Sequence, residues 1–219
     1  MTISTDTIKA IGQSDSRERV GDEVVAGNVY DKYHTANPIA RRLMAGFTGA
    51  LEDLLDWHEG EEILEVGCGE GYLMSHLQSS YAAPRMAGLD ISFGIVQTAT
   101  QQGCPQVPFL QASVYELPWA DQSWDIVVMC EVLEHLENPA AALEEVHRVC
   151  RRAVLVSVPR EPLWSLANMA RLKYLRTLGN TPGHVQRWGR RDFATLVGRY
   201  FTVEGIASPF PWTMIWGLK

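Results

Sequence analysis

Glu65-Val66-Gly67-Cys68-Gly69-Glu70-Gly71 decides how this chain is read. The apolar pair Ile63-Leu64 precedes it, and a predicted helix from Tyr72 to about Ser79 follows. A strand that ends in glycines and turns straight into a helix suits a nucleotide-like ligand. Glycine accepts positive φ and lets the backbone approach a ligand closely. The first turn of a helix offers unpaired N–H groups to polar atoms. The spacing narrows the choice: a dinucleotide fingerprint sets its third glycine where this chain has Tyr72. What stands here is an acid followed by Gly-x-Gly-x-Gly.

Downstream, strand and helix patterns alternate. Residues 86–89 read as a short buried strand ending at Asp90, and Ser92 opens a helix to about Gln102. Asp90 lies about 20 residues beyond the glycine loop, where an acid can accept hydrogen bonds from ribose hydroxyls. Residues 107–112 read as a third strand, and the unbroken apolar run 126–130 as a strand covered on both faces. Asn138-Pro139 caps a helix to about Cys150 with Leu143, Val146 and Val149 inward. Its basic end, Arg148, Arg151 and Arg152, reads as a complement to the helix dipole and a solvated face. Residues 153–158 form a fifth predicted strand, and an aromatic, basic segment, 161–178, then interrupts the alternation. A helix from about Arg190 to Tyr200 precedes two apolar runs, 201–207 and 212–218, which read as a terminal hairpin.

Upstream, residues 1–26 are polar and aperiodic, as a leader would be. Asn37-Pro38 starts a helix to about Trp57, with Ile39, Leu43, Phe47, Leu51, Leu54 and Leu55 as its apolar stripe. Tyr30, Tyr33 and His34, just before it, are candidates for a lid that touches substrate. The chain has 219 residues, 46% of them apolar, which fits one domain with a full core. No apolar run approaches membrane-spanning length, and residues 1–26 contain no signal-like apolar core. Cys68, Cys104, Cys130 and Cys150 form no Cys-x-x-Cys pair, so a reduced, cytoplasmic protein is expected. Net charge −7 disfavours a broad nucleic-acid surface and leaves room only for a local basic patch.

The acid with Gly-x-Gly-x-Gly resembles motif I of the class I S-adenosylmethionine (SAM)-dependent methyltransferases. The stretch Ser113-Val114-Tyr115-Glu116-Leu117-Pro118-Trp119 is similar to the small-molecule, ubiquinone-biosynthesis type of that family (methyltransferase type 11). There the family's usual aspartate is replaced by Ser113. The resemblance implies SAM as cofactor. Glu65 would lie near its amino group, and Gly67, Cys68, Gly69 and Gly71 under methionine and ribose. Asp90 would hold the ribose, Ile91, Ser113 and Val114 the adenine, and Cys130 would close the crevice. It also implies an α/β fold, a doubly wound, Rossmann-like, seven-stranded and mostly parallel sheet in the order 3-2-1-4-5-7-6. A leader and helical lid, residues 1–57, would form one structural unit with a SAM-binding domain at 58–219.

Glu131-Val132-Leu133-Glu134-His135 begins where the fourth strand should end. In a helical turn, Glu131, Glu134 and His135 share one face. Two carboxylates and an imidazole can hold a divalent cation or move a proton. The pattern resembles the ubiquinone-pathway O-methyltransferases and the small-RNA 3′-terminal 2′-O-methyltransferases, where it binds Mg²⁺. The RNA enzymes add a histidine from His-x-x-x-Trp-x-Arg-x-acid-Phe, matched here by His184, Trp188, Arg190, Asp192 and Phe193. Read from the residues, His135 with Glu131 is the candidate catalytic pair, His135 as the general base. The resemblance implies Glu131, Glu134, His135 and His184 as a ligand set for Mg²⁺ or Mn²⁺, with His184 otherwise a substrate contact. The expected reaction is methyl transfer to an oxygen, less readily a nitrogen, of a small metabolite. Three alternatives stand beside it: an NAD-dependent oxidoreductase, a non-catalytic SAM-binding partner protein, and a metal-dependent RNA 2′-O-methyltransferase. Acidic composition and the lack of an RNA-binding module weigh against the last.

Overall fold

Apolar runs without polar interruption build the sheet. Its strands are β1 (Ile63–Val66), β2 (Met86–Asp90), β3 (Phe109–Gln111), β4 (Trp124–Cys130), β5 (Cys150–Pro159), β6 (Thr202–Ala207) and β7 (Trp212–Leu218). The computed structural model describes residues 37–83, 85–102, 106–172 and 174–219, with a short antiparallel pairing of Arg19–Val20 and Glu23–Val24. The strand order is β3-β2-β1-β4-β5-β7-β6. The pairs from β3 to β5 are parallel, whereas β7 runs antiparallel to both β5 and β6. This is the order expected from the sequence, and the antiparallel β7 excludes an all-parallel, six-stranded dinucleotide sheet.

The period of two along a strand splits each run between two cores. In β4, Ile126 and Val128 face one layer, while Val127 and Met129 face the other. In β5, Ala153 and Leu155 oppose Val154, Val156 and Val158 in the same way. The first layer holds α1 (Pro38–Leu54) and α2 (Tyr72–Ser80), through Met44, Phe47, Leu51, Leu73, Met74 and Leu77. The second holds α4 (Pro139–Val149) and α6 (Arg190–Val197), through Leu143, Val146, Val149, Phe193 and Val197. α3 (Phe93–Gln102) packs on β2 and β3, and α5 (Leu163–Ala170) follows β5. No described helix is long and apolar enough to cross a membrane.

Asn37 caps α1, its Oδ1 accepting the Ile39 N–H at 2.9 Å, with Pro38 at the first helical position. The buried stripe is Met44, Phe47, Leu51 and Leu55, and Ile39 is 70% exposed. At 100° per residue Ile39 lies about 80° from Phe47 around the helix, outside the core-facing arc. α1 is therefore a layer of the same core as residues 58–219. The lid candidates Tyr30, Tyr33 and His34, like Cys104, lie outside the described residues.

The basic end of α4 departs from the expected solvated face. Arg148 is bidentate on Glu145 (2.7 and 2.8 Å) and also reaches Asp121 and the Leu117 and Trp119 carbonyls. It ties the chain before β4 to α4. Arg151 pairs with Asp125, and Arg152 with Glu61. Charged partners arriving from distant segments turned a dipole complement into cross-links, which local spacing does not reveal.

Phe47 is buried edge-on against Trp212, centroids 5.0 Å apart. Phe47→Ala removes that contact and leaves a cavity between α1 and β7. A loss of about 3–5 kcal/mol in urea unfolding is expected; an unchanged midpoint would show that α1 does not support the sheet.

Candidate active site

The glycine loop is pinned by the strand beside it. Gly67 and Cys68 both donate their N–H to the Leu89 carbonyl, at 2.8 and 2.9 Å, and Gly69 donates to Asp90 Oδ2 at 3.1 Å. Asp90 Oδ1 accepts the Ser92 N–H at 3.0 Å. Gly67 holds φ at 74°, and a Cβ there would lie 2.3 Å from Val132 Cγ2. No side chain fits at that bend. The loop then enters α2 directly, with Gly71 as its N-cap.

Two acids stand at this edge. Glu65 is buried, and its carboxyl is held well above the ordinary 4.5, first by desolvation and then by the nearby Asp90 charge; the Met74 N–H at the start of α2 opposes both. Its Oε2 has no hydrogen-bond partner among the described residues. Desolvation also raises Asp90, against the N–H bonds from Ser92 and Gly69. A buried acid with an open oxygen fits an ammonium group, and a carboxylate with spare lone pairs fits vicinal hydroxyls. These are groups that SAM carries. Cys68 is buried with its thiol pushed far up by desolvation, so it is not a reactive sulfur.

The other expected cofactor contacts lie along the same carboxyl edge. Ile91 follows β2 and is partly exposed, and buried Val114 follows β3. Ser113 Oγ accepts the Tyr115 N–H at 3.2 Å. Half-buried Cys130 ends β4.

The second constellation differs from its helical reading. Glu131 has φ 60°, and only Leu133–His135 form a helical turn, of the 3₁₀ type. Its N–H continues the ladder to the Ser157 carbonyl at 3.1 Å. The left-handed bend after that bond swings its carboxylate to the Trp212 indole N–H (2.6 Å) and the Ser157 hydroxyl (3.2 Å). Three of the four expected ligands do come together: the donor atoms of Glu134, His135 and His184 all lie within 4.8 Å of one another, and Glu131 is not in that group. Glu134 is buried, and its Oε1 is 3.9 Å from His135 Nε2. His135 Nδ1 contacts the Gly183 carbonyl at 2.9 Å. A carbonyl only accepts, so Nδ1 carries the proton and the neutral ring presents Nε2 as an acceptor.

Aromatic rings continue from this group. His184 lies edge-on to His135 at 4.9 Å and stacks near Trp164 at 6.0 Å, and Trp164 lies 6.1 Å from Trp212. Trp164 is oriented by a 2.9 Å hydrogen bond from its Nε1 to Thr181 Oγ1. Sequence reasoning missed Trp212 and Ser157, and placed Trp164 only within an aromatic segment without a partner. The available signal was topological: an antiparallel β7 sets Trp212 opposite Pro159, at the edge where β5 ends.

Residues 64–157 match a family described as a methyltransferase domain. Over 108 residues the chain is 36% identical to a probable S-adenosylmethionine-dependent methyltransferase of Mycolicibacterium smegmatis, covering 48% of this chain and 41% of that one. Over 174 residues it is 28% identical to the ubiquinone biosynthesis O-methyltransferase of Alkalilimnicola ehrlichii, covering 72% and 67%. The fold resembles that of magnesium protoporphyrin IX methyltransferase from Synechocystis PCC 6803, solved with bound S-adenosylhomocysteine (SAH). That similarity has a TM-score of 0.62 at 18% identity over 84% of this chain and 89% of the other. The chain spans less than half the length of several curated relatives it matches.

The raised Glu65 carboxyl has a thermodynamic signature. A folded-state pKa above the unfolded one means that stability is lost as pH rises from about 4.5 through the folded value. Glu65→Gln is therefore expected to melt higher than the parent at neutral pH, with the gap closing below about pH 4.5. The same change should weaken SAM by about 1.5–3 kcal/mol in calorimetry, through loss of the charged hydrogen bond. Parental affinity would remove Glu65 from the ammonium site.

Proposed function

We propose that this chain, a member of the class I SAM-dependent methyltransferases, transfers the sulfonium methyl of SAM to an oxygen of a small organic acceptor. The single observation that carries the oxygen assignment is the His135 imidazole, tautomerically fixed by the Gly183 carbonyl and set beside the buried Glu134 carboxylate. A hydroxyl acceptor must lose a proton as it attacks, and an imidazole is suited to take it near neutral pH.

Bound SAM supplies a methyl on positive sulfur; the acceptor oxygen takes that carbon, and the C–S electron pair returns to sulfur to give neutral SAH. The protein aligns and desolvates the partners. Glu65 and Asp90 fix the two ends of the cofactor's polar framework. His135 Nε2 receives the acceptor proton, and Glu134 stabilises the imidazolium that forms. Glu131 acts at a distance, by holding the Trp212 indole that with Trp164 and His184 forms an aromatic wall for the acceptor.

A second reading is favoured by the clustering of Glu134, His135 and His184. Two imidazoles and a carboxylate suit a divalent cation, and the Gly183 carbonyl on His135 Nδ1 is the outer support such a ligand usually has. An ion held there would lower the acceptor hydroxyl's pKa.

Calorimetry is expected to show SAM and SAH binding and no NADH binding, with Asp90→Ala weakening SAM by about 1.5–3 kcal/mol. Binding of NADH in place of SAM would sink the proposal. Transfer of label from methyl-labelled SAM to a phenolic or hydroxylated acceptor panel tests the reaction. If His135 is the base, His135→Ala loses about 10²–10⁴-fold, partly recovered at high pH, and EDTA has no effect. If a cation is used, EDTA abolishes turnover, Mg²⁺ or Mn²⁺ restores it, and His184→Ala is nearly as damaging as His135→Ala. Full activity of both variants in EDTA would rule out both mechanisms.

A further inference from the structure

α1 carries two seams. The inner one, Met44, Phe47 and Leu51, is buried against the sheet. The outer one is Ile39, Arg42, Gly46, Gly49 and Asp53, which recur at spacings of three, four, three and four residues. Such spacing keeps a stripe on one side of a helix, as a contact between two helices requires. At 100° per residue this stripe is centred about 120° around the helix from Phe47. Ile39 is 70% exposed, and Arg42, Gly46 and Asp53 are exposed as well. Beside the stripe lies an open groove of ≈ 970 Å³ whose far wall is residues 207–210, with Phe210 half exposed on it.

Nothing among the described residues accounts for the two glycines. After proline, glycine is the least favourable residue in a helix interior. A Cβ at Gly46 or Gly49 would meet no atom within 4 Å, and neither glycine holds a positive φ. What bare positions on an exposed helix do permit is the close approach of a second backbone. The charges of the stripe are equally unused. Arg42 and Asp53 make no ion pair among the described residues, and they lie about 16 Å apart along the helix, too far to pair with each other. By contrast, Arg148, Arg151 and Arg152 all have carboxylate partners.

We propose that this groove receives a second copy of the chain, α1 against α1, antiparallel about a two-fold axis between residues 47 and 48. Charge selects both the occupant and its direction. A two-fold interface must be self-complementary, and the outer stripe is. An axis at its centre sets Gly46 against the partner's Gly49 and Arg42 against the partner's Asp53, once on each side of the axis. A parallel pairing would instead set Arg42 on its own copy. Ile39 and Phe210 add apolar area beyond the glycines. Because Phe47 on the inner seam touches Trp212, the interface would lie directly behind the aromatic wall. The inference stands on α1 and its groove and does not depend on which atom is methylated.

The test is sedimentation velocity of the full chain from about 1 to 200 µM, where a dimer shows as a concentration-dependent mass. Arg42→Asp and Asp53→Arg each place like charges on both sides of the axis and are expected to weaken dimerisation about tenfold or more. Mixing the two variants restores an Arg–Asp pair on each side. The mixture and the Arg42→Asp/Asp53→Arg double variant should therefore return to the parental dissociation constant, which a merely structural role for either residue does not predict. Gly46→Leu enters open space in the single chain and improves its helix propensity. It should lose the dimer, keep SAM affinity, and melt at or above the parental temperature at a concentration where the parent is monomeric. A chain that stays monomeric throughout, a dimer that Gly46→Leu leaves intact, or charge variants that do not rescue each other would overturn the proposal.

Discussion

One carbonyl and one carboxylate hold the molecule's working edge together. The Leu89 oxygen accepts two consecutive N–H groups of the glycine loop, and the next residue, Asp90, accepts the third. The bend of the loop and the direction of the acid are therefore a single feature. Its cost is visible in Glu65 and Asp90, two carboxyls raised by desolvation and brought near each other. A cofactor bearing a cation and hydroxyls relieves that cost, so affinity and apo-state instability have a common origin.

Most of this half was legible in the sequence because its causes are local. Positive φ at Gly67, the strand-to-helix turn and the acid at Asp90 need only short-range sterics and spacing. The strand order followed from alternation together with the family resemblance. Glu131 was misread because a helical face was assumed where a left-handed residue intervenes, and nothing in Glu-Val-Leu-Glu-His announces that bend. The arginines after α4 were misread for another reason. Their partners Asp125 and Glu61 are brought by segments far along the chain.

The two halves of the site are built on different principles. The cofactor half uses backbone groups and buried acids from β1, β2 and their loops, where a shift of one residue breaks several hydrogen bonds. The proposed acceptor half uses aromatic side chains from α5, β7 and the 179–188 segment, with Trp164 fixed by Thr181 and Trp212 by Glu131. Glu131 joins them, leaving the β4 ladder at one end and gripping Trp212 at the other. Under the proposed function, substitution in the second half would alter which acceptor is held while the hydrogen bonds of the glycine loop stay intact.

β7 enters the sheet between β5 and β6, pairing with both. Until Trp212–Leu218 has docked, β5 is an edge strand with an unpaired row of backbone groups and an almost wholly apolar surface. Such an edge invites pairing with another chain. Emerging from the ribosome, this protein therefore carries its most adhesive strand uncovered while some fifty further residues, 160–211, are still being added. Arg152 stands at the start of that edge, its guanidinium 5.5 Å from the Trp216 ring, where a charge opposes pairing with a second copy.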